Sequence, residues 1–467
     1  MCKVKAGSQD PLPLRAAHRA IDPLNTYSPQ LRFDRARHAS IAMRGVGDQN
    51  SLDHIMQIKK IAFCLGVCAL LAACGGDGST AATPGQSVAQ TQPLPSGSTY
   101  IATASFGDTI KVQLDAPSAG DVTITFVNSQ FGLSGSITSP YSTSSSGRYS
   151  AYDFTASGAP DVLTNGASGI VFVFNIAADG TGNGTLNGTF GDVPNVKAGS
   201  GTLTGQVTGS NNGVTTVAGL AGTYSFIKLS GDYTSAGTAT GDQDADTGQI
   251  KINADGTFRA CPSAAYSDTC MDDEDPSLAD TGTIAVDADQ TDYPGAFDLT
   301  LNGLMYGRLF ASTANGAITL MLDQAGTNSD GTYRTGSWVL QSASTLVSGT
   351  DDGEFYCEEP TLGNDDVATG DISSVYTTIS GTTLGFISDS TLAFNTSFSA
   401  VNSSSTPTPV AINGLMSTTY TNTNQTQSAM MLLPISSNAI AYLDEPAGDG
   451  FFVQGLCLRT VAPPPPP

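Results

Sequence analysis

The chain has three histidines, His18, His38 and His54, and none beyond residue 54. Their absence from the rest excludes Ser-His-Asp and Cys-His nucleophilic catalysis, histidine metal sites and the HExxH protease pattern there. Basic residues are almost as scarce. Past Cys74 there are 9 Lys and Arg against 37 Asp and Glu, a net charge near −28. That balance disfavours nucleic acid and anionic lipid surfaces as partners. Aromatics make up 7% of the chain, and Trp338 is the single tryptophan. No apolar stripe of helical period follows Ala73, which argues against a helical domain. No CxxC spacing occurs, so zinc has no ligand set.

What is present begins with Met56–Gly78, MQIKKIAFCLGVCALLAACGGDG. Lys59 and Lys60 form a short positive region. Ile61 to Ala73 is uncharged and mostly apolar, of secretory length and too short to span a bilayer as a helix. The end of this run, Leu71-Ala72-Ala73-Cys74, resembles the lipobox of bacterial lipoproteins. The resemblance implies cleavage before Cys74, a diacylglyceryl group on its thiol and acylation of its amine. Two or three acyl chains, at ~0.8 kcal/mol per buried methylene, hold a protein stably on a membrane. Gly75 stands where an aspartate would favour inner-membrane retention, so the expected place is the outer membrane, periplasmic or surface-exposed. Residues 1–55, with six arginines and scattered prolines, read as an over-extended start or a basic leader.

The expected organisation follows in order. Residues 56–73 are the signal peptide, and 74–98 the lipidated cysteine and a flexible tether rich in Ser, Thr, Gln and Pro. Residues 99–218 form a first β domain, 219–345 a barrel-like second and 346–460 a third. Residues 461–467 are a proline tail. The fold class is all-β: two or three small antiparallel barrels or sandwiches in tandem. Ile110, Val112 and Leu114 alternate with Lys111, Gln113 and Asp115, and Val122, Ile124 and Phe126 with Thr123 and Thr125. Such alternation marks strands with one buried face. Asn-Gly and Asp-Gly pairs, from Asp179-Gly180 to Asp449-Gly450, supply hairpin turns. Eight strands fit between Gly222 and Ser342, which suits an up-and-down barrel. Gly222-Thr223-Tyr224 is weakly similar to the opening of lipocalin- and avidin-like barrels and carries no functional motif.

The third domain weakly repeats the second. Residues 253–261 resemble 350–357, residues 301–322 resemble 412–433, and residues 330–340 resemble 449–459. The match aligns Trp338 with Cys457. Four cysteines remain outside the leader and signal: Cys261, Cys270, Cys357 and Cys457. An oxidising compartment favours disulfides, with Cys261–Cys270 and Cys357–Cys457 the preferred of three pairings.

Candidate chemistry is confined to carboxylates, lysine and serine. Asp242, Asp244 and Asp246 have the D-x-D-x-D spacing of a calcium loop, but Thr247 and Asn253 stand where an EF-hand needs glycine and glutamate. Asp272, Asp273, Glu274 and Asp275 form a second acidic knot. Calcium binding and solvated acidic loops are the two readings, and calcium is the one candidate cofactor. Asp246-Thr247-Gly248 and Asp280-Thr281-Gly282 match the DTG of aspartic proteases, yet stand too close together for two lobes. Ser225 and Lys228 have SxxK spacing, but on a strand they face opposite ways. The leading expectation is a non-enzymatic lipoprotein of structural, adhesive or binding role. It would meet the membrane through Cys74 and a surface or envelope protein or glycan as partner. The alternatives are a carrier of a small apolar ligand, lined by Tyr224, Phe226, Ile250, Ile252, Ile318, Leu320 and Leu322, and a carboxylate-dependent hydrolase.

Overall fold

The period-two pattern becomes an all-β protein in which each sheet curls around its own apolar side chains. The computed structural model describes residues 98–460, apart from 116–119, 144–147, 179–183, 212, 273–276, 315, 363–367, 386–388, 399–408, 422–426 and 447–449. The leader, signal, Cys74, nearly all of the tether and the proline tail therefore lie outside the described residues. So do Asp273, Glu274 and Asp275.

The first sheet contains β1 (Thr99–Ala104), β2 (Asp108–Leu114), β3 (Asp121–Ser129), β4 (Ser136–Thr143), β5 (Tyr149–Ala151), β6 (Thr155–Ser157), β7 (Val171–Ala178), β8 (Gly184–Pro194) and β9 (Thr202–Ser210). Antiparallel pairing runs β1-β2-β3-β4-β5-β7-β8-β9 and returns from β9 to β1, which closes a ring with β6 appended to β4. Tyr100, Ala102, Ile110, Val112, Ile124 and Phe172 fill it. One short helix, α1 (Asp161–Gly166), caps the connection into β7 and buries Leu163. Phe172, Val173 and Phe174 are all buried, so β7 is covered on both faces.

The second sheet is a closed barrel of β10 (Gly222–Tyr233), β11 (Ala239–Ile252), β12 (Thr257–Pro262), β13 (Thr281–Val286), β14 (Phe297–Leu301), β15 (Leu304–Ala314), β16 (Ala317–Thr327) and β17 (Tyr333–Ser342). Its inward set, including Tyr224, Phe226, Ile250, Ile252, Leu320, Leu322 and Trp338, packs as one cluster with Ile318 against it. The Asp-rich stretch at 242–246 is strand, part of β11, although its composition reads as loop. The long strand β10 pairs with this stretch on one side, Asp244 opposite Ser230 and Asp246 opposite Lys228, and that ladder outweighs the weak strand propensity of aspartate.

The third sheet runs from β18 (Gly353–Leu362) through β19 (Ala368–Ser380), β20 (Thr383–Gly385) and β21 (Asp389–Thr391). It continues with β22 (Ala393–Phe398), β23 (Pro409–Thr421), β24 (Gln427–Ser436), β25 (Ala439–Asp444) and β26 (Val453–Arg459). β18 pairs with β26, so the first and last strands are neighbours. The ladder's two ends, β21 and β22, are joined by the single buried residue Leu392, which leaves the sheet nearly closed. The two longer matched segments occupy β15–β16 here and β23–β24 there, and the last falls on β17 and β26 with β25 intervening. The first match lies on the third strand of its barrel but the first strand of its sheet.

Cys261 is bonded to Cys270 and Cys357 to Cys457. The second disulfide joins β18 and β26 at directly paired positions inside the third core. Trp338 on β17 and Cys457 on β26 both point inward.

The three sheets touch through their outer faces. Ile227 and Val339 of the second pack with Ile412, Leu415, Met431, Leu433 and Leu456 of the third. Thr335 Oγ1 donates to Phe106 O at 3.2 Å, linking the second to the first. Gly107, at φ +92°, takes its sharp turn against that contact: a Cβ there would lie 2.6 Å from Gly336 N. Arg148 of the first meets Glu358 of the third at 3.5 Å.

Candidate functional site

Alternation along β10, β11 and β17 carries charged side chains into the second barrel beyond its apolar half. Lys228 follows Tyr224 and Phe226 in phase. Asp242, Asp244 and Asp246 precede Ile250 and Ile252 in phase, and Arg334 precedes Trp338 and Leu340. Lys228 Nζ lies 2.6 Å from Asp244 Oδ2, and Arg334 Nη1 2.9 Å from the same oxygen. Arg334 also grips Asp232 with Nε to Oδ1 at 2.7 Å and Nη2 to Oδ2 at 3.0 Å. This fork geometry is the strong form of an Arg–carboxylate pair. The Trp338 indole N–H donates to Gln324 at 3.1 Å, and Tyr306 meets the indole edge-on at 5.8 Å. Burial pushes Lys228 down, but Asp244, then Tyr306 and Asp246, hold its ammonium above the usual lysine range. Burial raises Asp244, and Lys228 and Arg334 outweigh it, so the carboxyl sits below its ordinary value.

The three aspartates of the calcium-like spacing thus share a face but not a ligand-holding geometry. Asp244 is held by two cations. Asp246 accepts from Thr247 N at 2.6 Å and from Ser263 N at 3.2 Å. Asp242 accepts from Thr240 Oγ1 at 3.2 Å. Asp272 stands in the loop after Cys270, its backbone N–H on Leu278 O. Among the described residues no three Asp, Glu, His or Cys side chains gather as a metal-holding group. Ser225 and Lys228 face opposite ways: the serine hydroxyl turns outward to Asn413 O of the third sheet.

A second polar cluster lies inside the third sheet, and no sequence motif links its members. Glu359 continues the inward phase of Phe355 and Cys357, and Asp444 that of Ile440 and Tyr442. The Tyr420 hydroxyl donates to Asp444, 2.7 Å from Oδ1 and 2.8 Å from Oδ2. Tyr442 bonds Glu359, and its ring crosses Gly455, where any Cβ would collide with it. Burial raises Glu359 to about 7, and burial and then the Glu359 charge hold Asp444 well above the carboxylate range. No cation is among the causes acting on either. The phase of these strands is the signal that would have found them.

Where the three sheets meet lies a partly open cavity of about 80 Å³. The first sheet lends Phe106 and Leu203, the second Leu229 and Asp232, and the third Phe452 and Gln454. Gln243 clamps the third sheet from the second, with Nε2 to Phe452 O at 3.1 Å and Oε1 receiving Phe452 N at 2.9 Å. Gln454 is 1% exposed. Its Oε1 accepts from Ser337 at 3.2 Å, and its Nε2 has no acceptor among the described residues. No protein-family profile matches this chain, and no curated protein does.

Proposed function

We propose that the protein is a lipid-anchored, non-enzymatic binding module of the outer membrane. In this reading Cys74 carries the acyl chains, and the tether holds three packed β units away from the bilayer. The observation that carries it is the union of the lipobox-like run with units whose interiors are occupied by their own side chains. Two disulfides favour an oxidising compartment, and the acidity favours solubility there. Labelling with a palmitate analogue, followed by protease treatment of whole cells, tests it. Label on the wild-type chain and none on Cys74→Ala supports anchoring. An unlabelled, freely released wild type overturns it.

A carrier of an apolar ligand is less well supported, because Tyr224, Phe226, Ile250, Ile252, Leu320 and Leu322 pack against one another. A carboxylate-dependent hydrolase has one observation in its favour, the raised Glu359 and Asp444. Turnover of casein that Glu359→Gln abolishes would favour that reading.

A further inference from the structure

We propose that the first ring leaves its seat on the other two as a folded unit, opening a polar face that the docked form hides. This goes beyond the binding reading and is independent of the anchor. The sequence of β7–β9 alternates as strands do when one face meets a core and the other meets water. Phe172, Phe174, Leu186, Phe190 and Val207 point into the first core. The residues between them point outward, and register sets them in rows. Asn175 stands beside Asn187, Asn187 beside Thr208 and Thr208 beside Thr103, with Thr189 beside Gln206 in the next row. Neither row holds a charged side chain.

This water-suited face is nevertheless covered. Asn187 is 0% exposed, Thr208 1% and Gln206 3%. The third sheet covers part of it: Asn175 Nδ2 donates to Asn438 O at 3.4 Å, and Ile372 of β19 lies where a Cβ on Gly191 would fall. Both side-chain amide atoms of Asn187, both of Gln206, Thr208 Oγ1 and Asn175 Oδ1 have no hydrogen-bond partner among the described residues. A buried polar atom in that state has lost its water and gained no bond, and undocking restores the water. The second and third sheets meet differently. Their outward residues are apolar there, and Ile227, Val339, Met431, Leu433 and Leu456 pack as one cluster. The first ring's apolar contacts with its neighbours are smaller: Phe131 on Tyr233 and Tyr333, and Ile101 on Phe310 and Met321. A seam of orphaned amides and hydroxyls opens before a seam of packed aliphatic side chains. The connection between the rings need not melt. Asn211 is bonded to Gly184 of the first ring, and Gly213 is already paired with Ser312 of the second.

Iodoacetamide labelling of full-chain variants carrying one added cysteine, read peptide by peptide by mass spectrometry, tests this. Thr208→Cys places a thiol in the hidden face. Ala441→Cys, at a position 0% exposed, places one in the seam between the second and third sheets. The first should label at least about tenfold faster than the second. Its rate should also depend less on urea, because undocking exposes far less surface than unfolding. Adding Gln206→Met, apolar and of similar volume, removes two orphaned atoms and favours the docked form. Labelling at position 208 should then slow about tenfold. Trp338 fluorescence reports whether each variant folds, and if Thr208→Cys does not, Thr103→Cys in the same row replaces it. Equal rates at positions 208 and 441 would mean that the first ring leaves only when the whole chain unfolds, and would overturn the proposal. Faster labelling with Gln206→Met would overturn it too, because that amide would then be bonded through water in the docked form. Palmitate labelling of Cys74 is unaffected by any of these outcomes, so the two readings fail separately.

Discussion

Lys228 on β10 reaches diagonally to Asp244 on the neighbouring strand β11, 2.6 Å from Nζ to Oδ2, with Arg334 on the same carboxylate. Side-chain exposure is 12% for the lysine and 18% for the aspartate, so the pair is largely removed from water. Removing one partner leaves a buried charge unmatched. Asp244→Asn should therefore cost roughly 3 kcal/mol or more in urea unfolding. The double variant Lys228→Met/Asp244→Asn should cost clearly less than the sum of the two singles. Additive losses would mean the two side chains do not act as a pair.

Glu359 and Asp444 set the pH dependence of the third sheet. Glu359 titrates at about 7 in the folded chain, against roughly 4.3 when unfolded. Between those values the native state holds the proton and the unfolded state has lost it. Stability from this group therefore falls as pH rises from about 4 through 7, by on the order of 3 kcal/mol. Asp444 and Asp108, both raised, and Asp323, raised by burial to about 6, act in the same direction. Asp244 and Asp287 are lowered and act oppositely, on acidification below their ordinary value of 3.8. Urea midpoints should be higher at pH 5 than at pH 8, and Glu359→Gln should narrow that difference. An unchanged difference would show that Glu359 contributes nothing to it.

The two disulfides should differ in worth. Cys357 and Cys457 are 100 residues apart and Cys261 and Cys270 only 9. Chain-entropy reasoning gives about 4.7 kcal/mol for the long loop and roughly 3 kcal/mol or less for the short one. Thermal melts of Cys357→Ser/Cys457→Ser and Cys261→Ser/Cys270→Ser should show the larger loss in the first. Equal losses would contradict this ordering.

Gly107→Ala tests the contact between the first two sheets. The residue has φ +92°, and the added Cβ would press on Thr335 and Gly336. A loss of about 2 kcal/mol or more is expected in denaturant unfolding. Faster proteolysis at the junction should accompany it, and wild-type behaviour on both counts would show that this turn is not held by the neighbouring barrel.

The all-β class was legible because apolar alternation at Ile110–Leu114 or Val122–Phe126 has few other solutions. The eight strands of the second barrel were legible for the same reason, with Asp-Gly and Asn-Gly turns as punctuation. The polar interior was not. Asp242–Asp246 looks like loop because composition weighs against strand, whereas its phase with Ile250 and Ile252 puts it inside a barrel. Arg334, Asp232, Tyr420 and Gln454 have no local signature at all. Their roles come from partners 24 to 117 residues away, brought together only when the rings close and the sheets dock.

The pairing of β18 with β26 also fixes an order of events as the chain emerges into the compartment where it folds. A chain arriving N-terminus first presents Cys357 100 residues before Cys457. The intervening hairpins can form as they emerge, but the seam of the third sheet must wait. Until then β18 has an unpaired backbone face and Cys357 a free thiol, open to the wrong strand or the wrong cysteine. The first two rings close on their own residues and can already be complete.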